Sequence, residues 1–269
     1  MPKVGIRGTE LHYERAGSGE PLLLIQGMSG THVSWGKIFK GALEESFDVT
    51  AFDNRGIGLS ERIEAPFTIA EMAADTVAIL DELGIDSAHV LGISMGGMIA
   101  QELALAHPDR LRSLTLGCTY CGGPGSQLMP QENAEKLLAG FASGDREQAI
   151  RAGYEVNLSP TFRAGEGAFA AFHEMATSVP AAKQVIELQL QAILGHDTSG
   201  RLGGIDTPAL IVHGTLDGVL PYANGEQIAG LLPGARFETL ADVGHMFWWE
   251  QPQRSAELVR EHALAAGRA

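Results

Sequence analysis

Ser94 lies in Gly92-Ile93-Ser94-Met95-Gly96, a G-x-S-x-G pentapeptide. The run His89-Val90-Leu91-Gly92-Ile93 before it reads as a buried strand. Met95 to Ala106 after it reads as a helix, with Pro108 just beyond its end. A serine at such a strand-to-helix turn is held in a strained backbone conformation, with its hydroxyl standing clear at the carboxyl edge of a sheet. Gly92 and Gly96 suit the turn because a Cβ at either place would crowd it. The chemistry this implies is nucleophilic. A serine hydroxyl is a weak nucleophile at its own pKa and needs a base within hydrogen-bond reach. His245, in Asp242-Val243-Gly244-His245 after the strand-like Phe237 to Leu240, is the candidate base. Asp217, in Gly214-Thr215-Leu216-Asp217 after the apolar run Ala209 to His213, is the candidate acid. His245 would take the Ser94 proton and return it to a leaving group, while Asp217 holds the imidazole tautomer and steadies the imidazolium. Taken singly, the three read as a helix cap, a loop histidine and a turn former. Their order, and the place of each at a strand's carboxyl end, favours the chemical reading.

To bring the three together, the strands must run parallel, so that their carboxyl ends share one edge. Lys3 to Arg7 and Leu11 to Ala16 read as an opening antiparallel pair around Gly8-Thr9. Leu22 to Ile25 and Val49 to Phe52 read as core strands flanking a helix near Trp35 to Glu45. Apolar residues at helical spacing predict a helix over Thr68 to Leu83, with Gly84 at its carboxyl cap. Leu111 to Gly117 is a further strand. Strand–helix alternation then stops between Tyr120 and Gly203, a segment that opens on the breaker Gly122-Gly123-Pro124-Gly125. Helices are predicted there over Gln131 to Ala142, Arg146 to Glu155, Gly167 to Thr177 and Ala181 to Leu194. The alternation resumes with a helix over Tyr222 to Leu232 and closes with one over Pro252 to Ala266. Residues 1–119 and 204–269 are therefore expected to form an α/β core, and 120–203 a helical insertion.

With these residues in this order, the chain resembles the α/β-hydrolase family over nearly its whole length. Leu22-Leu23-Leu24-Ile25-Gln26-Gly27-Met28 looks like the family's third strand and oxyanion loop. Asp53-Asn54-Arg55-Gly56-Ile57-Gly58-Leu59-Ser60 looks like its D-x-R-G-x-G-x-S segment. The resemblance implies an α/β fold: a mostly parallel eight-stranded sheet flanked by helices, with a helical cap inserted between strands six and seven. It implies Ser94 as nucleophile, Asp217 as acid and His245 as base. The backbone N–H groups of Met28 and Met95 would form the oxyanion hole. The chain departs from the family's usual His-Gly at Gln26-Gly27, where the Gln26 amide can donate and accept in place of the imidazole. Some relatives carry the acid after the sixth strand, but Cys118-Thr119 offers no carboxylate there. Arg55 is read as organising its loop rather than as a substrate anchor. Trp35 and Met246 are expected to touch substrate. Met129, Phe141, Phe169, Phe172, Met175 and Leu190 are expected to line the pocket or pack the cap.

The function implied is a cofactor-free serine hydrolase. It would cleave a carboxylic ester or lactone of a small to medium hydrophobic substrate through an acyl-enzyme. Two alternatives share the triad: carbon–carbon bond hydrolysis and perhydrolysis. Haloalkane dehalogenases and epoxide hydrolases are disfavoured because they use aspartate where Ser94 stands. A small-molecule receptor on a hydrolase scaffold is the alternative from another class.

Composition agrees. The chain has 269 residues, 45% of them hydrophobic, enough for one sizeable core. A net charge of −14 argues against nucleic acid and anionic membranes as partners. No run of about 18 apolar residues offers a membrane span, and Met1-Pro2-Lys3-Val4-Gly5 lacks the apolar core of a signal peptide, so a cytoplasmic place is expected. Cys118 and Cys121 are spaced C-x-x-C, but one pair cannot complete a four-ligand zinc site, and a structural or pocket-lining role is expected. No metal or cofactor is expected; a homodimer is left open.

Overall fold

The computed structural model describes residues 2–179 and 181–267. Eight strands form one sheet: β1 (Lys3–Ile6), β2 (Thr9–Gly17), β3 (Glu20–Ile25), β4 (Phe47–Phe52), β5 (Ala88–Ile93), β6 (Leu111–Gly117), β7 (Ala209–Gly214) and β8 (Arg236–Leu240). Their order across the sheet is β1-β2-β4-β3-β5-β6-β7-β8. Only β2 runs against its neighbours, and β4, β3 and β5 to β8 are parallel throughout. Strands β5 and β7 are buried at every residue, as parallel strands covered on both faces must be.

The period of two along a strand divides the core into two layers. Leu23 and Ile25 of β3 pack with α2 (Ile69–Glu82) and α3 (Met95–Ala106), through residues such as Ile79, Leu80 and Met98. Leu22 and Leu24 face the other way, toward α1 (Lys37–Glu44) and α11 (Pro252–Ala266), through Phe39, Leu43, Leu258 and Val259. Between β6 and β7 come α4 (Gln131–Ala142), α5 (Arg146–Asn157), α6 (Pro160–Arg163), α7 (Ala168–Ser178) and α8 (Lys183–Leu194); α9 (Ala223–Leu231) and α10 (Phe247–Glu250) lie after β7 and β8.

Three local expectations change. The helix expected near Trp35 to Glu45 forms as α1 over Lys37–Glu44, starting only after Gly36 (φ 70°), with a 3-10 turn over His32–Trp35 ahead of it. The late start is tertiary in origin. The Nε1 groups of Trp248 and Trp249 both donate to the Ser34 carbonyl at 2.9 Å, and the Trp249 ring covers Gly36. The first hairpin turns on Arg7 (φ 47°) and Gly8 (φ 85°) rather than Gly8-Thr9. The short helices α6 and α10 were not anticipated, because four residues are too few to show a period.

Candidate active site

Ser94 sits at the tight turn between β5 and α3 with φ 53° and ψ −122°, a region L-residues occupy only under constraint. The constraint is visible. The Ser94 N–H donates to the Gly117 carbonyl at 2.9 Å, and the Thr119 hydroxyl donates to the Ser94 carbonyl at 2.7 Å. A Cβ on Gly92 would meet the Gly96 carbonyl oxygen at 2.2 Å, and one on Gly96 would meet the Ile25 carbonyl oxygen at 2.0 Å. Both glycines are sterically required.

Asp217 and His245 meet beyond the ends of β7 and β8. The His245 Nδ1 lies 2.7 Å from Asp217 Oδ2. The same oxygen accepts from His213 Nε2 at 3.0 Å, while Oδ1 accepts the N–H groups of Val219 at 2.8 Å and Leu220 at 2.9 Å. Burial alone would raise the Asp217 pKa. The charge interaction with His245 and the hydrogen bonds from His213 and His245 outweigh it and hold the carboxyl well below the usual range. Asp217 is therefore a permanent anion facing the imidazole. The Ser94 hydroxyl is half-buried and has no hydrogen-bond partner within 3.5 Å among the described residues.

The loop expected to carry the oxyanion hole follows β3. The Gly27 N–H is taken by Gln26 Oε1 at 3.1 Å, and Gly30 N–H closes the turn onto the Gly27 carbonyl at 3.2 Å. Among the described residues the N–H groups of Met28 and Met95 have no acceptor, and Gly27 lies against the Ser94 side chain. Gln26 thus reaches only its own loop, and its Nε2 is buried without a partner. The outside bonds come from elsewhere. Asn54 Nδ2 donates to the Gln26 carbonyl at 3.1 Å, and the Ser29 N–H donates to Gln189 Oε1 of α8 at 2.9 Å.

The insertion also holds the His245 loop. Glu250 Oε1 accepts the N–H groups of Gly244 at 3.0 Å and Ser159 at 2.8 Å, and its Oε2 takes the Ser159 hydroxyl at 2.5 Å. The Met246 N–H donates to the Asn157 carbonyl at 3.1 Å. Gln189, Glu250 and His213 were all missed in the sequence. Only His213, four residues before Asp217, carried a local signal.

Other expected residues fall differently. Arg55 forms a two-pronged pair with Asp75 of α2, both contacts at 2.6 Å, and stacks over Phe67, so its place is structural. Met246 is buried next to His245 in the chain. Trp35, expected to touch substrate, is instead wholly buried among Phe39 and Trp248. It lines a cavity of about 400 Å³ with Met175 and Trp249, and no triad residue lines that cavity. Phe141 and Leu190 were expected in the pocket or cap core, but are 50% and 47% exposed. For Phe141 the reason is position: α4 packs on α5 through Gly140, beside Ala149 and Ala152, and Phe141 lies off that face. Phe169 and Phe172 pack around Tyr154 inside the insertion. Cys118 and Cys121 are free and buried, and burial pushes the Cys118 thiol far up, so it is inert.

The family model for the alpha/beta hydrolase fold matches residues 20–164 and 170–252. The chain belongs to the α/β-hydrolase fold family. It is 32% identical over 249 residues to a protein of Azorhizobium caulinodans named as a candidate carbamate hydrolase, RutD, with 92% of each chain covered. It is 29% identical to the pimeloyl-[acyl-carrier protein] methyl ester esterase of Aeromonas hydrophila, covering 93% of this chain and 97% of that one. Among solved structures it superposes on the enol-lactonase of Burkholderia xenovorans LB400 with a TM-score of 0.84, at 26% identity, covering 97% of this chain and 99% of that one. No helix of this α/β-hydrolase is long and apolar enough, among the described residues, to cross a membrane.

Proposed function

We propose that this α/β-hydrolase is a serine hydrolase that cleaves a carboxylic ester or lactone through an acyl-enzyme. One observation carries the reading: a serine strained to φ 53° at the β5–α3 turn shares its sheet edge with an Asp217–His245 pair joined at 2.7 Å. Strain of this kind persists where the fold over-determines it, and it frees a hydroxyl for attack. Ser94 Oγ adds to the carbonyl carbon as His245 Nε2 takes its proton. The N–H groups of Met28 and Met95 hold the developing oxyanion, an interaction worth about 3–4 kcal/mol per donor. Collapse of the tetrahedral intermediate breaks the bond to the leaving oxygen, which His245 protonates. Water, deprotonated by His245, then adds to the acyl carbon and releases the acid and Ser94. The helices between β6 and β7 act as a cap that excludes water and shapes an apolar pocket. The named activities of the methyl ester esterase and the enol-lactonase support oxygen esters as the substrate class.

Hydrolysis of a chain-length series of p-nitrophenyl esters, beside simple lactones, tests the reading. Turnover by wild type that peaks at short or medium acyl chains is expected. Folded wild-type protein that turns over none of them would contradict it and favour a carbon–carbon hydrolase or a receptor.

A further inference from the structure

We propose that His12, Glu14 and His32 form a site for a divalent transition-metal cation, Zn²⁺ foremost, separate from the triad. One ligand atom from each of the three lies within 4.8 Å of the others, and His32 Nε2 stands 3.7 Å from Glu14 Oε1. Tetrahedral ligands at zinc sit roughly 3.4 Å apart, given metal–ligand bonds of about 2.0–2.1 Å. Small side-chain adjustments therefore close the set, with a fourth position left for water.

The tautomers decide the matter. His12 Nδ1 lies 2.9 Å from the Pro2 carbonyl, which can only accept, so Nδ1 carries the proton and Nε2 carries the lone pair. That Nε2 is buried with no partner among the described residues, on a side chain only 1% exposed. His32 Nδ1 lies 2.9 Å from Asp53 Oδ1, which also accepts the His32 main-chain N–H at 2.6 Å. Here too Nδ1 donates and Nε2 is left to bind. A metal-bound histidine typically donates its second ring N–H to a carbonyl or carboxylate, and the two histidines show one of each. The two rings pack edge to face with centroids 4.6 Å apart.

Every charged group around the site is accounted for. On β2 are His12 and Glu14. His32 lies on the 3-10 turn, and Asp53 follows β4. Lys40 and Glu44 lie on α1. Lys40 Nζ engages Glu14 Oε2 at 3.1 Å and Glu44 Oε1 at 2.9 Å, which leaves Glu14 Oε1 free for the cation. Glu14 and Asp53 together balance a divalent charge. The Glu14 side chain is 45% exposed and gives the ion a way in. A bound metal would tie β2 to the turn that follows the oxyanion loop.

Chelator-treated protein titrated with Co²⁺, followed by its visible d–d absorption, tests the site, with the thermal midpoint in ZnCl₂ as a second readout. One equivalent is expected to bind, without a sulfur-to-cobalt charge-transfer band. The dissociation constant should rise at least about tenfold in Glu14→Gln and His32→Gln and stay unchanged in Cys118→Ala. Cys118, Asp217 and His245 also lie within ligand distance of one another, so the last variant separates the two clusters. No binding by wild type, binding that persists in Glu14→Gln, or binding that requires Cys118 would each overturn the proposal. Glu14 is half-exposed, so its variant decides the matter even where His32→Gln fails to fold.

Discussion

Asp217→Asn isolates what the acid does, because the structure dictates how the new amide must sit. Asp217 Oδ1 takes two main-chain N–H groups at 2.8 and 2.9 Å, and neither can turn away. The asparagine oxygen must stay there, since leaving those buried donors unpaired costs about 1–3 kcal/mol each. The amide nitrogen then takes the place of Oδ2 and presents N–H to His245 Nδ1 and to His213 Nε2. An N–H facing Nδ1 can pair only with its lone pair, so His245 carries its proton on Nε2 and cannot accept one from Ser94. The expected loss is about 10⁴-fold in kcat, or roughly 5 kcal/mol, with KM little changed. Steady-state kinetics on the best p-nitrophenyl ester measures it, and a thermal melt shows that the variant is folded. A folded Asp217→Asn enzyme that keeps kcat within tenfold of wild type would refute the tautomer argument.

Removing the Glu250 carboxylate strands the N–H groups of Gly244 and Ser159. Glu250→Ala should therefore lower stability by about 2–3 kcal/mol and lower kcat with it, whereas Glu250→Gln, which can still accept both bonds, should lose about 1 kcal/mol, as read by denaturant melts and ester kinetics. Gly92→Ala places a Cβ 2.2 Å from the Gly96 carbonyl oxygen and should lose more than about 3 kcal/mol or fail to accumulate as folded protein. Burial lowers the His196 pKa from 6.5 to about 4. The unfolded chain then binds the proton more readily, so this contribution is complete above pH 6.5 and is lost as pH falls toward about 4. That gives about 3 kcal/mol of pH-dependent stability, seen as a falling thermal midpoint and weakened in His196→Asn.

The sheet edge was legible because its signals are local. Gly92 and Gly96 bracket Ser94 within one pentapeptide, and the runs ending at His213 and Leu240 place Asp217 and His245 after their strands by length and apolarity alone. Helix α4 was read to the residue for the same reason. What escaped is non-local. Gln189 reaches the oxyanion loop from 160 positions away, and Glu250 reaches Ser159 from 91, so no window of sequence contains both partners. Helix α1 starts only after Gly36, where Trp248 and Trp249, over 200 residues on, claim the Ser34 carbonyl. Trp35, an aromatic near the loop after β3, suits a pocket wall and a core equally by sequence; in the fold it is buried and lines a cavity with Met175 and Trp249.

The most direct test of the central claim is the intact mass of the protein quenched during turnover of a slow ester. An adduct equal to one acyl group, mapped to the peptide that carries Ser94 and absent from Ser94→Ala, is the predicted result. Ester turnover that continues in Ser94→Ala at the wild-type rate, with no adduct on wild type, would contradict it.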